Sequence, residues 1–252
     1  MDRPIVLIPA RSGSTRMPNK NLQKLHQLTL LESSINATLN ADVGRVIVST
    51  NDNTIKEVAL SAGAEVPFMR PASISTPEAA SISVILHALF ALQAQDGYIP
   101  SCVAFKPPTN PYLKSISITE MINLKLANLS IDSVLSIFEP RHSALSFVGF
   151  DPSTLTVNPE LYDINGFKLY DAERSQDRPK SYAGSPACKV TNSSFFLEKY
   201  KNFQHSLPKA TGPTYNCNST IGYVISAAEA FDIDTVDDLE IARSLYKIYS
   251  AE

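Results

Sequence analysis

Short apolar runs, each broken by a polar turn, set the rhythm of this chain. Ile5–Ile8 is wholly apolar and stops at Pro9, the signature of a buried strand. Arg45–Thr50 repeats the pattern. Gly63–Phe68 predicts a third strand, leading to Arg70, and Ser101–Phe105 and Ser133–Ile137 predict two more. Helical signals lie between them. Thr29-Leu-Leu-Glu32 is a capping box, with Leu28, Leu31, Ile35 and Leu39 on one face beyond it. Asn51-Asp52-Asn53 opens a helix that runs through Ala59–Ala62. Thr76-Pro77-Glu78 places a capping Thr, a Pro at the first helical position and a carboxylate at the positive end of the dipole. That predicts a helix from there to about Leu92. A helix through Met121–Leu126 follows. Strands alternating with helices at this spacing predict an α/β fold, a parallel sheet with helices on both faces.

The rhythm fails between Glu139 and Ser185, which is rich in Pro, Asp, Asn, Ser and Tyr and holds short strand-like pieces such as Ser146–Phe150. This stretch reads as an excursion from the sheet. Phe147, Phe150, Tyr162, Phe167 and Tyr170 would be exposed unless they pack on something, which favours a dimer contact over a self-packed flap. The sheet resumes near Ala187–Thr191 and Thr220–Ser226. Thr235 with Asp238 then caps a last helix with Leu239, Ala242, Leu245 and Tyr249 on its apolar face. The expected division is therefore a core of residues 1–138 and 186–252, with residues 139–185 inserted.

The size, 252 residues with 44% hydrophobic positions, suits one large α/β domain with an excursion. The net charge of −3 excludes a general polyanion-binding surface, so no nucleic acid polymer is expected as partner and any anion site is local. Cys102, Cys188 and Cys217 are odd in number and far apart. They argue for a reducing compartment and against zinc or a disulfide framework. No apolar stretch suits a signal peptide or a membrane span, so a soluble, cytoplasmic protein is expected.

Two stretches carry candidate chemistry. After Pro9 the chain enters a small-residue loop, Ala10-Arg11-Ser12-Gly13-Ser14, that bears Arg11, Arg16 and Lys20. Cations on a loop at the carboxyl end of a strand lie where open α/β sheets bind ligands, and a triphosphate fits. The plainer alternative is a basic surface loop with no ligand. The second stretch is Phe231-Asp232-Ile233-Asp234-Thr235. In extended chain Asp232 and Asp234 point the same way, and two carboxylates on one side call for a cation such as Mg²⁺ between them. The alternative is that they only cap the last helix. His26, His87, His142 and His205 show no ligand spacing; His87, beside Leu86 and Leu89, reads as packed or surface. No phosphate-binding GxxxxGK[ST], GxGxxG or GxSxG motif occurs.

Ile8-Pro-Ala-Arg-Ser-Gly-Ser-Thr-Arg-Met-Pro-Asn-Lys-Asn21 resembles the signature loop of the acidic-sugar cytidylyltransferases. These are the CMP-sialic acid synthetases and their pseudaminic, legionaminic and ketodeoxyoctulosonic acid relatives. Arg45–Asp52 is similar to the family's second strand. Lys106–Pro111 resembles its "Q-P-T-S-P" loop, Arg174-Ser-Gln-Asp-Arg-Pro-Lys-Ser-Tyr182 its "R-S-Q-D-L-P" segment, and Asp232–Thr235 its metal-binding "D-I-D-T" element. The resemblance implies a three-layer α/β/α, Rossmann-like, mostly parallel sheet of the nucleotide-diphospho-sugar transferase type with a dimerisation arm. It implies CTP and an acidic sugar as substrates, Mg²⁺ as cofactor and a homodimer. By the same resemblance Arg11, Lys20 and Asp234 are catalytic, and Ala10, Arg11, Lys20, Asn21, Arg70 and Ser81 bind nucleotide. Thr109, Asn110, Arg174 and Gln176 would bind the sugar, and Asp232 and Asp234 the metal. Ser12 replaces the first of two family glycines, Pro107 a Gln, Leu113 an Arg and Ser146 a Lys, though Arg141 and His142 lie near. Only Ser81 matches cleanly in the stretch after Pro77. These departures leave open an altered homologue that binds nucleotide or serves as a scaffold, or a transferase for another sugar.

Overall fold

The computed structural model describes residues 3–140, 149–151, 156–158, 180–199, 217 and 219–249. Six strands form the main sheet: β1 (Ile5–Pro9), β2 (Arg45–Ser49), β3 (Cys102–Phe105), β4 (Ser133–Phe138), β7 (Ala183–Asn192) and β8 (Thr220–Val224). Their order is β2-β1-β3-β7-β4-β8. The pairs β1–β2, β1–β3 and β4–β8 are parallel. Strand β7 alone runs antiparallel, to both β3 and β4, so the sheet is mostly rather than wholly parallel. A hairpin of β5 (Gly149–Asp151) and β6 (Thr156–Asn158) stands apart.

Strand alternation sends β1 side chains to opposite faces. Val6 and Ile8 join a core with Leu31 and Ile35 of α1 (Leu30–Leu39), Ile55 and Ala59 of α2 (Asn53–Ser61), and Ile118, Met121 and Ile122 of α4 (Ser115–Ala127). Ile5 and Leu7 join the other core, with Ile85, Leu89 and Leu92 of α3 (Ser81–Asp96) and Phe196 of α5 (Ser193–Lys199). The last helix, α6 (Val236–Tyr249), packs elsewhere. Among the described residues no helix is long and apolar enough to cross a membrane.

Several local expectations need correction. The Thr29–Glu32 capping box forms, but α1 starts at Leu30, so Leu28 lies before the helix, and Leu28 and Leu39 are exposed. Leu30, Ser34 and Thr38 complete the buried face instead. The predicted third strand is only two isolated parallel bridges, Ile47–Glu65 and Thr50–Met69; Pro67 between them has no N–H to donate. Thr76-Pro77-Glu78 forms a turn, with the Ala79 N–H on the Thr76 carbonyl, and α3 begins later, at Ser81. The sheet resumes at Ala183, before Ala187, and α5 went unpredicted. Arg141, His142, Ser146, Phe147, Tyr162, Phe167, Tyr170, Arg174, Gln176 and His205 lie outside the described residues, and of Phe150 only the strand is described.

Candidate active site

The sheet order reverses between β1 and β3: the chain steps from β1 out to β2, then returns to place β3 on the other side. Ligands of open α/β sheets bind in the crevice beyond the strand ends at such a point. A cavity of about 270 Å³ lies there, lined by Arg11, Arg16, Lys20, Asn21, Arg70, Ser81 and the Pro107–Thr109 loop, among others. Among the described residues no carboxylate lines it.

The loop after β1 is held to its neighbours by hydrogen bonds. The Ala10 N–H donates to the Ser49 carbonyl at 3.0 Å. Asn51 accepts from the Ser12 N–H through Oδ1 and donates to Ser12 Oγ through Nδ2, each at 3.0 Å. Asn21 Nδ2 donates to the Arg11 carbonyl at 3.0 Å. Gly13 has φ +75°, which a glycine adopts freely, while Ser12 is not in that region. Only the second of the two family glycines is therefore required by backbone geometry. Ala10 is fully buried in the core and is not among the residues that line the cavity.

Arg70 projects from the end of the bridged segment. It is buried, with Nε donating to Ser49 Oγ at 3.1 Å and a terminal nitrogen to the Ser49 carbonyl. Burial, then the Arg11 charge, lowers its pKa to about 10. Among the described residues no carboxylate pairs with it. Beside it His87 meets Phe68 edge-on at 4.9 Å, a packed residue as expected, and burial lowers its pKa. Ser81 opens the sixteen-residue α3, whose first N–H groups have no helical partner and suit an anion.

The acidic element, from the far end of the sequence, meets two of the cations that line this cavity. Met17, Leu25 and Leu30 form a third apolar cluster with Ile233, Leu239 and Ala242. Arg243 donates to the Lys24 carbonyl at 3.0 and 2.7 Å, and Tyr112 Oη to the Ala242 carbonyl at 2.6 Å. With Ile233 fully buried, Asp234 meets Lys20 Nζ at 2.8 Å through Oδ1 and Arg16 at 2.8 Å through Oδ2. Burial, above all, raises the pKa of the Asp232 carboxyl from its ordinary value, and its Oδ1 is buried with no hydrogen-bond partner. The cap of α6 is made by other residues. Asp238 Oδ2 accepts from the Thr235 N–H at 2.8 Å, and Thr235 Oγ1 accepts from the Asp238 N–H at 3.2 Å. Capping therefore does not account for the side chains of Asp232 and Asp234.

A model of the cytidylyltransferase family matches residues 5–209. The chain belongs to the cytidylyltransferase family. It is 29% identical over 248 residues to the pseudaminic acid cytidylyltransferase of Campylobacter jejuni, covering 97% of this chain and 96% of that one. It is 27% identical over 248 residues to the CMP-N,N'-diacetyllegionaminic acid synthase of Legionella pneumophila, covering 98% and 97%. The match to the N-acylneuraminate cytidylyltransferase of Escherichia coli is 26% over 242 residues, spanning 96% of this chain but 51% of that longer one. Among solved structures, CMP:2-keto-3-deoxy-manno-octonic acid synthetase complexed with CTP superposes with a TM-score of 0.68 over 98% of this chain and 99% of that one. At 12% identity that match speaks to the fold.

Of the two described residues expected to bind the sugar, Thr109 lines the cavity of this cytidylyltransferase, and its carbonyl accepts from the Ile233 N–H at 2.8 Å. Asn110 does not line it. Fully buried, Asn110 donates through Nδ2 to the Phe231 carbonyl at 3.0 Å and so fixes the acidic segment. Leu113 lies in the core, 1% exposed, so this position cannot hold an Arg facing the substrate without refolding the loop. Pro107 does face the cavity.

Proposed function

We propose that the protein transfers a cytidylyl group to an acidic, nonulosonic-type sugar. The sugar hydroxyl attacks the α-phosphorus of CTP, pyrophosphate leaves, and the CMP-sugar forms. The observation that carries this reading is one cavity holding Arg11, Arg16, Lys20 and Arg70, with an acidic pair joined to it through Lys20. The sugar class follows the near full-length similarity to relatives named for pseudaminic and legionaminic acids. Transfer of this kind needs alignment and charge neutralisation more than covalent help. Arg11, Lys20 and Arg70 bind the triphosphate, with the α3 N-terminus at Ser81 beside them. Asn21 orients Arg11 through its carbonyl. Thr109 lines the sugar side, and the family resemblance adds Arg174 and Gln176 as the sugar-binding residues of the inserted stretch.

Asp232 and Asp234 would hold Mg²⁺. Mg²⁺ accepts one or two carboxylates and completes its shell with waters and substrate phosphates. The unpartnered Asp232 Oδ1 suits such an ion, and no larger acidic or His/Cys group gathers among the described residues. When bound, the ion would neutralise phosphate charge and favour the ionised sugar hydroxyl. The enzyme works in the cytoplasm as a homodimer through residues 139–185; the free thiols and the aromatic content of that stretch support this.

The test is a panel of acidic sugars with CTP and Mg²⁺, scored for pyrophosphate release. Turnover with a nonulosonic acid is expected. Binding of CTP without turnover of any sugar would favour the altered homologue, and turnover with ketodeoxyoctulosonate alone would shift the sugar class.

A further inference from the structure

Both oxygens of Asp234 carry an ion-pair partner. Lys20 holds Oδ1 and Arg16 holds Oδ2, each at 2.8 Å. The two cations differ in setting: the Lys20 side chain is 14% exposed and that of Arg16 61%. An ion pair exposed to that degree is worth at most about 1 kcal/mol, so exchanging its partner costs little. Arg16 also lines the cavity, whereas Asp234 does not. Asp232 Oδ1, two residues away, waits without a partner. A divalent cation arriving first would meet an acidic pair half covered by positive charge. A polyphosphate arriving first would meet Arg11, Arg16, Lys20 and Arg70, with no carboxylate among the described residues that line the cavity.

We propose that Arg16 is the exchangeable counter-ion of Asp234. It covers Oδ2 until the polyphosphate of the incoming nucleotide draws it away, so that the divalent cation joins the acidic pair after the nucleotide. This rests on the proposed metal-dependent reading of the site and adds an order to it. Arg16 thus acts twice, first as a mask on Asp234 and then as a phosphate contact, while Lys20 stays with Oδ1 throughout.

The test uses the full chain without nucleotide and Mn²⁺ as the probe, its free signal followed by electron paramagnetic resonance. Arg16→Met is expected to tighten Mn²⁺ binding about threefold to fivefold, the equivalent of one exposed ion pair. Arg11→Met removes a cavity cation that makes no pair with Asp234 and reports the general charge effect. A tightening by Arg16→Met no larger than that of Arg11→Met overturns the mask. Adding Asp234→Asn to Arg16→Met is expected to abolish the gain, and a gain that survives also overturns it. CTP binding in EDTA, measured by equilibrium dialysis, separates the two levels. Wild-type protein that binds neither CTP nor Mn²⁺ sinks the proposed function. Binding of CTP with no selective effect of Arg16→Met sinks only the order.

Discussion

Lys20 Nζ lies 2.8 Å from Asp234 Oδ1, although 214 residues separate them in the chain. The contact joins the cationic loop after the first strand to the acidic segment before the last helix. It is held there by apolar packing, because Met17 and Ile233, each within three residues of the pair, are buried in the same cluster.

Asp234→Asn should therefore remove activity without unfolding the protein. A loss of at least about 100-fold in turnover is expected, the scale for removing one preorganised charge. Stability should change by only about 1 kcal/mol, since the Arg16 pair is exposed and an Asn Oδ1 at this position still accepts from the largely buried Lys20 Nζ. Thr235→Ala should do the opposite. It removes the cap of α6 at a cost of about 1 kcal/mol and leaves the acidic pair intact. Thermal melts and pyrophosphate release on both variants check the contrast.

Met17→Ala should loosen the meeting of the two ends. Met17 is 2% exposed, and truncating a buried Met costs about 2–5 kcal/mol. Faster hydrogen exchange in α6 and in residues 231–235, with the β1–β2–β3 core unchanged, is the expected signature.

Arg70→Met should raise the KM for CTP at least about tenfold, as a buried charged contact to the nucleotide is lost. The melting temperature should hardly fall. Burying this guanidinium without a carboxylate partner among the described residues is itself costly, and the Ser49 carbonyl it releases still accepts from the Ala10 N–H. Steady-state kinetics beside a thermal melt decide this.

Lys106 predicts a pH effect unrelated to catalysis. It is fully buried in the loop after β3, and its Nζ donates to Ser34 Oγ at 2.7 Å. Burial lowers its pKa from 10.5 to about 8. Between those two values the unfolded chain keeps a proton that the folded chain has released, so this group's contribution to stability rises with pH. Below the lower value the full penalty applies, on the order of 3 kcal/mol. Lys106→Met should raise the melting temperature at pH 7, by about 2–4 °C per kcal/mol recovered. The gap from wild type should narrow as pH climbs towards 10.5. Melts across that range test it.

The sequence is most informative where local chemistry decides the outcome. The Ile5–Pro9 strand, the Thr29–Glu32 box and the Thr235–Asp238 cap depend on residues one to four apart, and all three form. Thr76-Pro77-Glu78 has every local mark of a helix start and is a turn, because the chain there lines the cavity before α3 begins. The antiparallel course of β7 has no local signal, since a buried strand reads alike in either direction. Within the site, Arg11, Lys20, Arg70, Ser81 and Thr109 gather at one cavity. Ala10 and Asn110 do not, and nothing in their spacing separates a side chain that faces substrate from one that props up the wall. The double hydrogen bond of Asn51 to Ser12 and the burial of Lys106 depend on tertiary contacts, so sequence reasoning missed both.

Strand β7 pairs with β4 so that Ala183 lies opposite Phe138 and Gly184 opposite Ile137. The long intervening stretch thus leaves and re-enters the framework at neighbouring rungs. Because β4 runs parallel to β1 and β3, the exit is at the edge of the sheet that bears the cavity. Lengthening a loop anchored so closely costs little, about 0.6 kcal/mol per doubling. Nature, or a designer, can therefore exchange the stretch between these two anchors while the main sheet stays in place.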